Sequence, residues 1–287
     1  MNPLLSVLMT SYNREQYIGE AIESVLDSTY THWELIIVDD GSKDQTVAIA
    51  QSFAANDSRI KVHINEQNLG DYKNRNQAAS YAKGEFIMYV DSDDTILKDG
   101  FERCINAMQQ FPEANFGMQL HGAERAPYFV EAKQAIEQHF FQQPFLLIGP
   151  GGTILRRRFF EAIGKYPVLY GPANDMYFNL KATAAGGVLL LPFTFNFYRI
   201  HEGQELNNKY SYLYNNFNYL RDALQELNLP LTEKQKVWIQ NKNRRRFLVN
   251  LLRYLFTSKN LSKTIRARQL AGFSLRDAWK ALVHPSI

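Results

Sequence analysis

Apolar and polar positions change period several times along this chain, and each change marks an element. Residues 4–10 form an apolar run of strand length. Residues 15–27 then place Tyr17, Ile18, Ala21, Ile22, Val25 and Leu26 on one stripe of an amphipathic helix. Residues 34–38 read as a second buried strand, ending at Asp39, Asp40, Gly41 and Ser42. A helix capped by Ser42 or Asp44 follows, through Val47, Ile49, Ala50 and Phe53. A third strand over 60–64, a third helix over 72–82 and a fourth strand over 85–90 continue the alternation. Such a pattern implies βαβ units with right-handed crossovers, hence an α/β fold built on a mainly parallel sheet flanked by helices.

After about residue 112 the pattern loosens. Strands are expected over 116–120 and 187–198, and helices over 157–163 and 175–185. From Leu206 the period narrows. Leu206, Tyr210, Leu213, Phe217, Leu220, Leu224 and Leu227 make a slim apolar seam that Pro230 ends, and a second long helix is expected over 232–256. The organisation this predicts is a catalytic or binding unit over 1–205, with halves 1–110 and 111–205, and a helical region over 206–287.

Open sheets of this kind bind ligands outside the carboxyl ends of their strands. Three polar clusters fall at such ends: Thr10 to Asn13, Asp39 with Asp40, and Asp91-Ser92-Asp93-Asp94. Carboxylates one residue apart suit a hard divalent cation, which takes one or two protein carboxylates and leaves its other positions to phosphate and water. Asp93 or Asp94 is equally able to cap the next turn. Tyr12 fits either a core position or a platform for a nucleobase, and Asp40 either a helix cap or an acceptor for a base imide. Arg75 suits a surface ion pair or a diphosphate. No G-x-G-x-x-G follows the first strand, where TSYN stands, so a nicotinamide-binding dehydrogenase is disfavoured.

Composition alters this picture in two places. The 287 residues include one cysteine, Cys104, which excludes an internal disulfide framework and fits a reducing cytoplasm. No basic leader precedes the first apolar run, and no stretch reaches the roughly 18 apolar residues that span a bilayer. The net charge of +3 conceals a split, with +11 over residues 231–287 and −8 over the rest. A basic end on an acidic body predicts two functional parts, one facing something anionic. A solvated helical face explains the same charge, and the acidic body argues against nucleic acid as the main partner.

The stretches SVLMTSYNREQYIGEAIESVLDSTYTHWELIIVDDGSKDQT and NLGDYKNRNQAASYAKGEFIMYVDSDD resemble the nucleotide-binding half of family 2 glycosyltransferases, which have the GT-A fold. The similarity covers residues 3–110 and continues more weakly through 149–166, 171–187 and 197–203. It implies that Thr10, Tyr12 and Asp40 hold the uracil of a UDP-sugar, with Arg75, Asp91 and Ser92 beside the nucleotide. Asp91 and Asp93 match the DxD motif, with Asp93 the metal ligand for Mn2+ or Mg2+. Asp175 matches the general base on the acceptor hydroxyl. His201 resembles a late histidine that in some members reaches the metal or diphosphate, a surface imidazole being the alternative. Asn174 stands where the family often has Glu, and Ser28 where it often has Gln.

The expectation is therefore an inverting transferase in polysaccharide biosynthesis, moving a sugar from UDP to a glycan or lipid-linked acceptor. A non-catalytic sugar-nucleotide or glycan-binding module is the alternative. The basic end, with Trp238, Phe247, Leu251, Leu252, Tyr254, Leu255, Phe256 and Trp279 among its cations, is expected to rest on the inner face of the plasma membrane. The alternatives for it are packing on the catalytic unit and a dimer through residues 206–227.

Overall fold

The computed structural model describes residues 2–201 and 208–283. Its first half follows the strand–helix alternation closely. Strand β1 (Leu5–Ser11), helix α1 (Ile18–Leu26), β2 (Trp33–Asp39), α2 (Thr46–Asn56), β3 (Ile60–Ile64), α3 (Asp71–Tyr81) and β4 (Phe86–Tyr89) come in that order. β1 pairs in parallel with both β2 and β4, and β2 with β3. Each crossover is a helix, as parallel neighbours require.

Alternation along the strands splits the core in two. Leu5, Val7, Met9, Leu35, Ile37, Phe86 and Met88 point to the side covered by α1 and α2, while Leu8, Ile36, Val38, Ile87 and Tyr89 point to the side covered by α3. Both faces are apolar, so the strands read as continuous hydrophobic runs.

The second half adds a two-residue strand β5 (Thr95–Ile96), α4 (Gly100–Gln110), β6 (Phe116–Gln119), β7 (Tyr128–Val130), α5 (Ala132–Phe141), β8 (Thr153–Arg156), α6 (Arg157–Ala162), α7 (Asn174–Gly186), β9 (Val188–Leu191) and β10 (Asn196–Phe197). Sheet order is β3-β2-β1-β4-β8-β6-β9-β7, with β8 antiparallel to β4 and β6, and β7 antiparallel to β9. The fold is thus a mixed, mainly parallel GT-A-type sheet. The expected strand over 187–198 is broken. Pro192 has no N–H to continue the ladder, and beyond it β10 leaves to pair with β5 in a separate two-stranded sheet. That departure brings the residues after β10 back over the acidic segment that follows β4.

The last four helices of the described residues are α8 (Lys209–Glu226), α9 (Glu233–Ser258), α10 (Leu261–Leu270) and α11 (Leu275–Val283). Thr232 and Gln235 form a reciprocal capping box at the start of α9. Leu220, Ala223, Leu224, Leu229 and Ile239 join the main core, while Phe217, Phe247, Leu251, Ala267, Ala271 and Phe273 form a cluster of their own. The seam expected to pair two copies is therefore spent inside the chain. Phe217, Leu220 and Leu224 are buried against neighbouring helices, which corrects the expectation of a dimer through residues 206–227; Leu206 lies outside the described residues. Among the described residues no helix is long and apolar enough to cross a membrane.

Candidate active site

β1 lies between β2 and β4, so the segments leaving all three strands are neighbours. Asp40 N–H donates to the Ser11 carbonyl at 2.8 Å and Val90 N–H to the Leu8 carbonyl at 3.0 Å, carrying the ladder to the sheet edge. Thr10, Tyr12, Asp40, Asp91, Ser92 and Asp93 are thereby gathered at one end of the sheet, as the topology predicts. Tyr12 is 45% exposed, so its ring is a surface feature and not a core residue. Ser92 is buried.

The two adjacent aspartates at the end of β2, Asp39 in the strand and Asp40 just beyond it, have different tasks. Asp39 accepts from the Gly41 and Ser42 amides and from the Ser11 and Ser42 hydroxyls, which fills its acceptor sites. Asp40 accepts from Asn65 Nδ2 at 2.9 Å and from the Leu69 and Gly70 amides at 2.8 Å each. It therefore clamps the loop before α3, and about one of its four acceptor positions remains for a ligand. The same loop sets the first turn of α3, where Gly70 adopts φ 84°, a left-handed conformation that suits glycine.

From that helix the buried Arg75 reaches across to the acidic segment. Its Nε donates to Asp71 at 2.8 Å and its Nη1 to Asp91 at 2.6 Å. The guanidinium carbon lies 5.8 Å from the centre of the Tyr72 ring and 5.5 Å from that of Tyr89. A planar, permanently charged fork is what this bridging position requires.

Asp93 faces the other way. Its Oδ2 lies 3.0 Å from both Arg14 Nε and His201 Nε2. The His201 ring stacks on Tyr17 with centroids 4.8 Å apart. Arg199, two residues earlier, donates its amide to Asp94 Oδ1 at 2.9 Å and its Nε to the Asp93 carbonyl at 3.1 Å. Loss of solvent, reinforced by the Asp91 charge, pushes the Asp94 carboxyl up to about 7. Beside Arg14 and His201 lies a cavity of about 280 Å³ lined also by Asn13, Glu15, Gln16, Tyr17 and Asp44.

Asp175 arrives from the far half of the chain, in the first turn of α7. It is half-buried, and its Oδ1 accepts from the Met176 amide at 2.7 Å. Loss of solvent pushes its carboxyl up to about 7, against the partial relief of that hydrogen bond and of the Arg75 charge. The turn Pro150–Gly152 and the preceding Gly149 connect Asp175 to the acidic segment. A Cβ on Gly149 would stand 3.7 Å from Asp175 Oδ2, and one on Gly151 would stand 3.8 Å from Asp91 Oδ2. One short stretch, Gly149-Pro150-Gly151, thus borders both carboxylates through its glycines. Asn174 turns into its own loop, accepting from the Tyr170 amide at 2.9 Å and donating to the Gly171 carbonyl at 2.7 Å.

Among the described residues, no group of three or more His, Cys, Asp or Glu side chains is arranged to hold a metal unaided. Asp93 and His201 meet at 3.0 Å, with Asp91 and Asp94 close by in sequence. An oxygen and a nitrogen donor in that number fit a divalent ion that completes its shell with phosphate and water. Sequence reasoning did not single out Arg14, Tyr17, Asp71 or the Gly149–Gly151 backbone, and assigned no role to Arg199. The one available signal was their position, since Arg14 follows TSYN and Arg199 precedes His201 by two residues.

A strand-end cradle of carboxylates bridged by a buried arginine stands on a mixed sheet of GT-A type. The chain matches the model described as glycosyl transferase family 2 over residues 6–164 and belongs to that family. It is 44% identical over 105 residues to the Escherichia coli UDP-Glc:alpha-D-GlcNAc-diphosphoundecaprenol beta-1,3-glucosyltransferase WfgD, a match covering 37% of this chain and 41% of that protein. The chain therefore matches less than half the length of that relative. Among solved structures, Staphylococcus aureus TarS (residues 1–349) in complex with UDP-GlcNAc superposes with a TM-score of 0.71 at 24% identity, over 92% of this chain and 79% of that one. The mannosyltransferase PcManGT of Pyrobaculum calidifontis, in complex with GDP-Man and Mn2+, superposes at 0.64 with 14% identity, over 99% and 88%. These likenesses show the shared fold.

Proposed function

We propose that this chain is an inverting glycosyltransferase that moves a sugar from a UDP-sugar to a hydroxyl of a lipid-linked saccharide in cell-surface glycan biosynthesis. The observation that carries the reading is that Gly149 and Gly151, either side of Pro150, border Asp175 and Asp91 in turn, so that a carboxylate with an elevated pKa stands across from an arginine-bridged acidic edge. Donor and acceptor classes follow the naming of WfgD and the nucleotide bound to TarS.

In this reading Tyr12 lies under the uracil, and Thr10 and Asp40 meet its polar edge. Asp91 and Ser92 stand beside the ribose and diphosphate. Asp175 takes the proton of the acceptor hydroxyl while that oxygen bonds to the anomeric carbon. The bond from that carbon to the diphosphate breaks, its electrons leave with UDP, and the configuration inverts. Arg75 places fixed positive charge near the leaving group. Asp93 and His201 would hold a Mn2+ or Mg2+ ion, which when bound neutralises charge on the diphosphate. Residues 1–205 form the catalytic unit and 206–287 its helical appendage, the boundary falling outside the described residues.

Screening UDP-sugars for thermal stabilisation, then for slow hydrolysis, tests the proposal. One UDP-sugar is expected to raise the melting temperature in the presence of Mn2+ and to release UDP. Asp175→Asn is expected to keep the stabilisation and lose the turnover. Stabilisation with no turnover in the parent chain would instead assign a binding module.

A further inference from the structure

The helices that end the chain combine two chemistries on one surface. On α9, Val249, Leu252, Arg253 and Phe256 follow the spacing that shares a helix face, and all are exposed, Phe256 at 75%. On α11, Leu275, Trp279 and Leu282 repeat the pattern at 81%, 66% and 68% exposure. Arg245 Nε on α9 donates to the Ala281 carbonyl at 3.2 Å. The end of α11 is thereby tied to the turn of α9 that precedes Val249. Lys259, in the left-handed conformation at φ 51°, turns the chain between Phe256 and the exposed Leu261 of α10.

Cations are interleaved with these apolar groups. Arg246, Arg253, Lys259, Lys263, Arg266 and Arg276 are exposed. Between residues 234 and 283 the one acid is Asp277, and it is paired with Arg244 at 2.8 Å. The packing of the same helices uses their opposite faces, where Phe247, Leu251, Ala267 and Phe273 close on Phe217. The outer stripe is thus not needed to hold the fold.

We infer that α9 to α11 dock on an anionic lipid surface, with the apolar side chains in the headgroup–acyl boundary and the cations against lipid phosphates. A second copy placed face to face would oppose one +11 region to another. A nucleic acid would engage the cations but leave Trp279, Phe256 and the leucines without apolar partners. A bilayer interface satisfies both sets.

The surface is linked to the candidate base. Tyr210 at the start of α8 packs on Tyr254 of α9 with centroids 5.6 Å apart, and its hydroxyl donates to the Lys263 carbonyl of α10 at 3.2 Å. The next residue, Ser211, borders Gly171, four positions before Asp175. Helix α8 thus joins α9 and α10 to the turn that leads into Asp175. This deepens the lipid-linked acceptor proposed above and rests on that reading.

Flotation of the full chain with vesicles of phosphatidylcholine, with and without phosphatidylglycerol, tests it. Binding is expected to require phosphatidylglycerol and to weaken with salt. Each cation near such a surface raises partitioning roughly fivefold, so the triple variant Arg253→Gln/Lys259→Gln/Arg266→Gln is expected to lose about a hundredfold. Phe256→Gln/Trp279→Gln is expected to lose at least about tenfold. Hydrolysis of UDP-sugar in solution should be unchanged in both, which shows that they are folded. Equal binding to both vesicle types, parental binding by either variant, or a dimer in sedimentation that the same substitutions dissolve would overturn the inference. Vesicle binding without UDP-sugar turnover would retain this surface and remove the transferase reading; turnover without vesicle binding would do the reverse.

Discussion

Arg75 Nη1 donates to Asp91 Oδ1 at 2.6 Å from a buried position on α3, and the same guanidinium holds Asp71 at 2.8 Å. One cation thus offsets two carboxylates that would otherwise repel each other. Arg75→Met is expected to leave both unpaired and to cost roughly 2–4 kcal/mol, read as a lower urea midpoint at unchanged slope. Arg75→Lys should recover only part, because an ammonium lacks the fork that spans both partners.

Asp175 titrates near 7 in the folded chain, well above its unfolded value near 3.9. As a base it must be ionised, so kcat/KM is expected to fall about tenfold per pH unit below 7. Stability runs the opposite way. Between the two pKa values the folded state binds more protons, so this group lowers stability as pH rises through 7. Asp175→Asn should therefore melt higher than the parent at pH 8, with the gap narrowing as pH falls below 7 and closing only below about pH 4, while turnover drops roughly a hundred- to ten-thousandfold.

Asp40 accepts three hydrogen bonds from the loop before α3. Asp40→Ala is expected to leave the Leu69 amide unpaired, the Gly70 amide keeping Asn68 Oδ1, and to make local opening easier by about 1.5 kcal/mol, roughly tenfold. Hydrogen exchange at Leu69 and Gly70 reads this directly. Unchanged protection there would show that the clamp carries no weight.

Gly171 is held at φ 50°, and a Cβ on it would lie 2.7 Å from Asn215 Nδ2 on α8. Gly171→Ala strains the turn that leads into Asp175 and crowds the buried Asn215 side chain. Turnover is expected to fall about ten- to a hundredfold with donor binding intact, as a displacement of about 1 Å at a reacting group can produce. Equal losses in both would place the effect on the fold as a whole.

What the sequence disclosed depended on range. The first four strands were legible because their apolar runs and intervening helical stripes are local signals, and the strand-end rule then collected Asp40, Asp91 and Asp93 at one edge. The break at Pro192 was not read, although proline within a strand pattern is a known stop. The contacts of Asp93 were hidden because Arg14 lies 79 and His201 108 positions away along the chain. Asp40 shows a different limit. Its type and place suggested a ligand contact, yet three of its hydrogen bonds turn inward, and only the loop geometry reveals that.

In the proposed site a divalent ion joins Asp93 to the phosphates of a nucleotide at this sheet edge. Anomalous diffraction at the manganese edge, from crystals grown with UDP and Mn2+, measures it most directly. One manganese peak is expected within coordinating distance of Asp93, with the uracil over Tyr12, and loss of the peak in Asp93→Asn. UDP bound elsewhere, or UDP at Tyr12 with no metal beside Asp93, would contradict it.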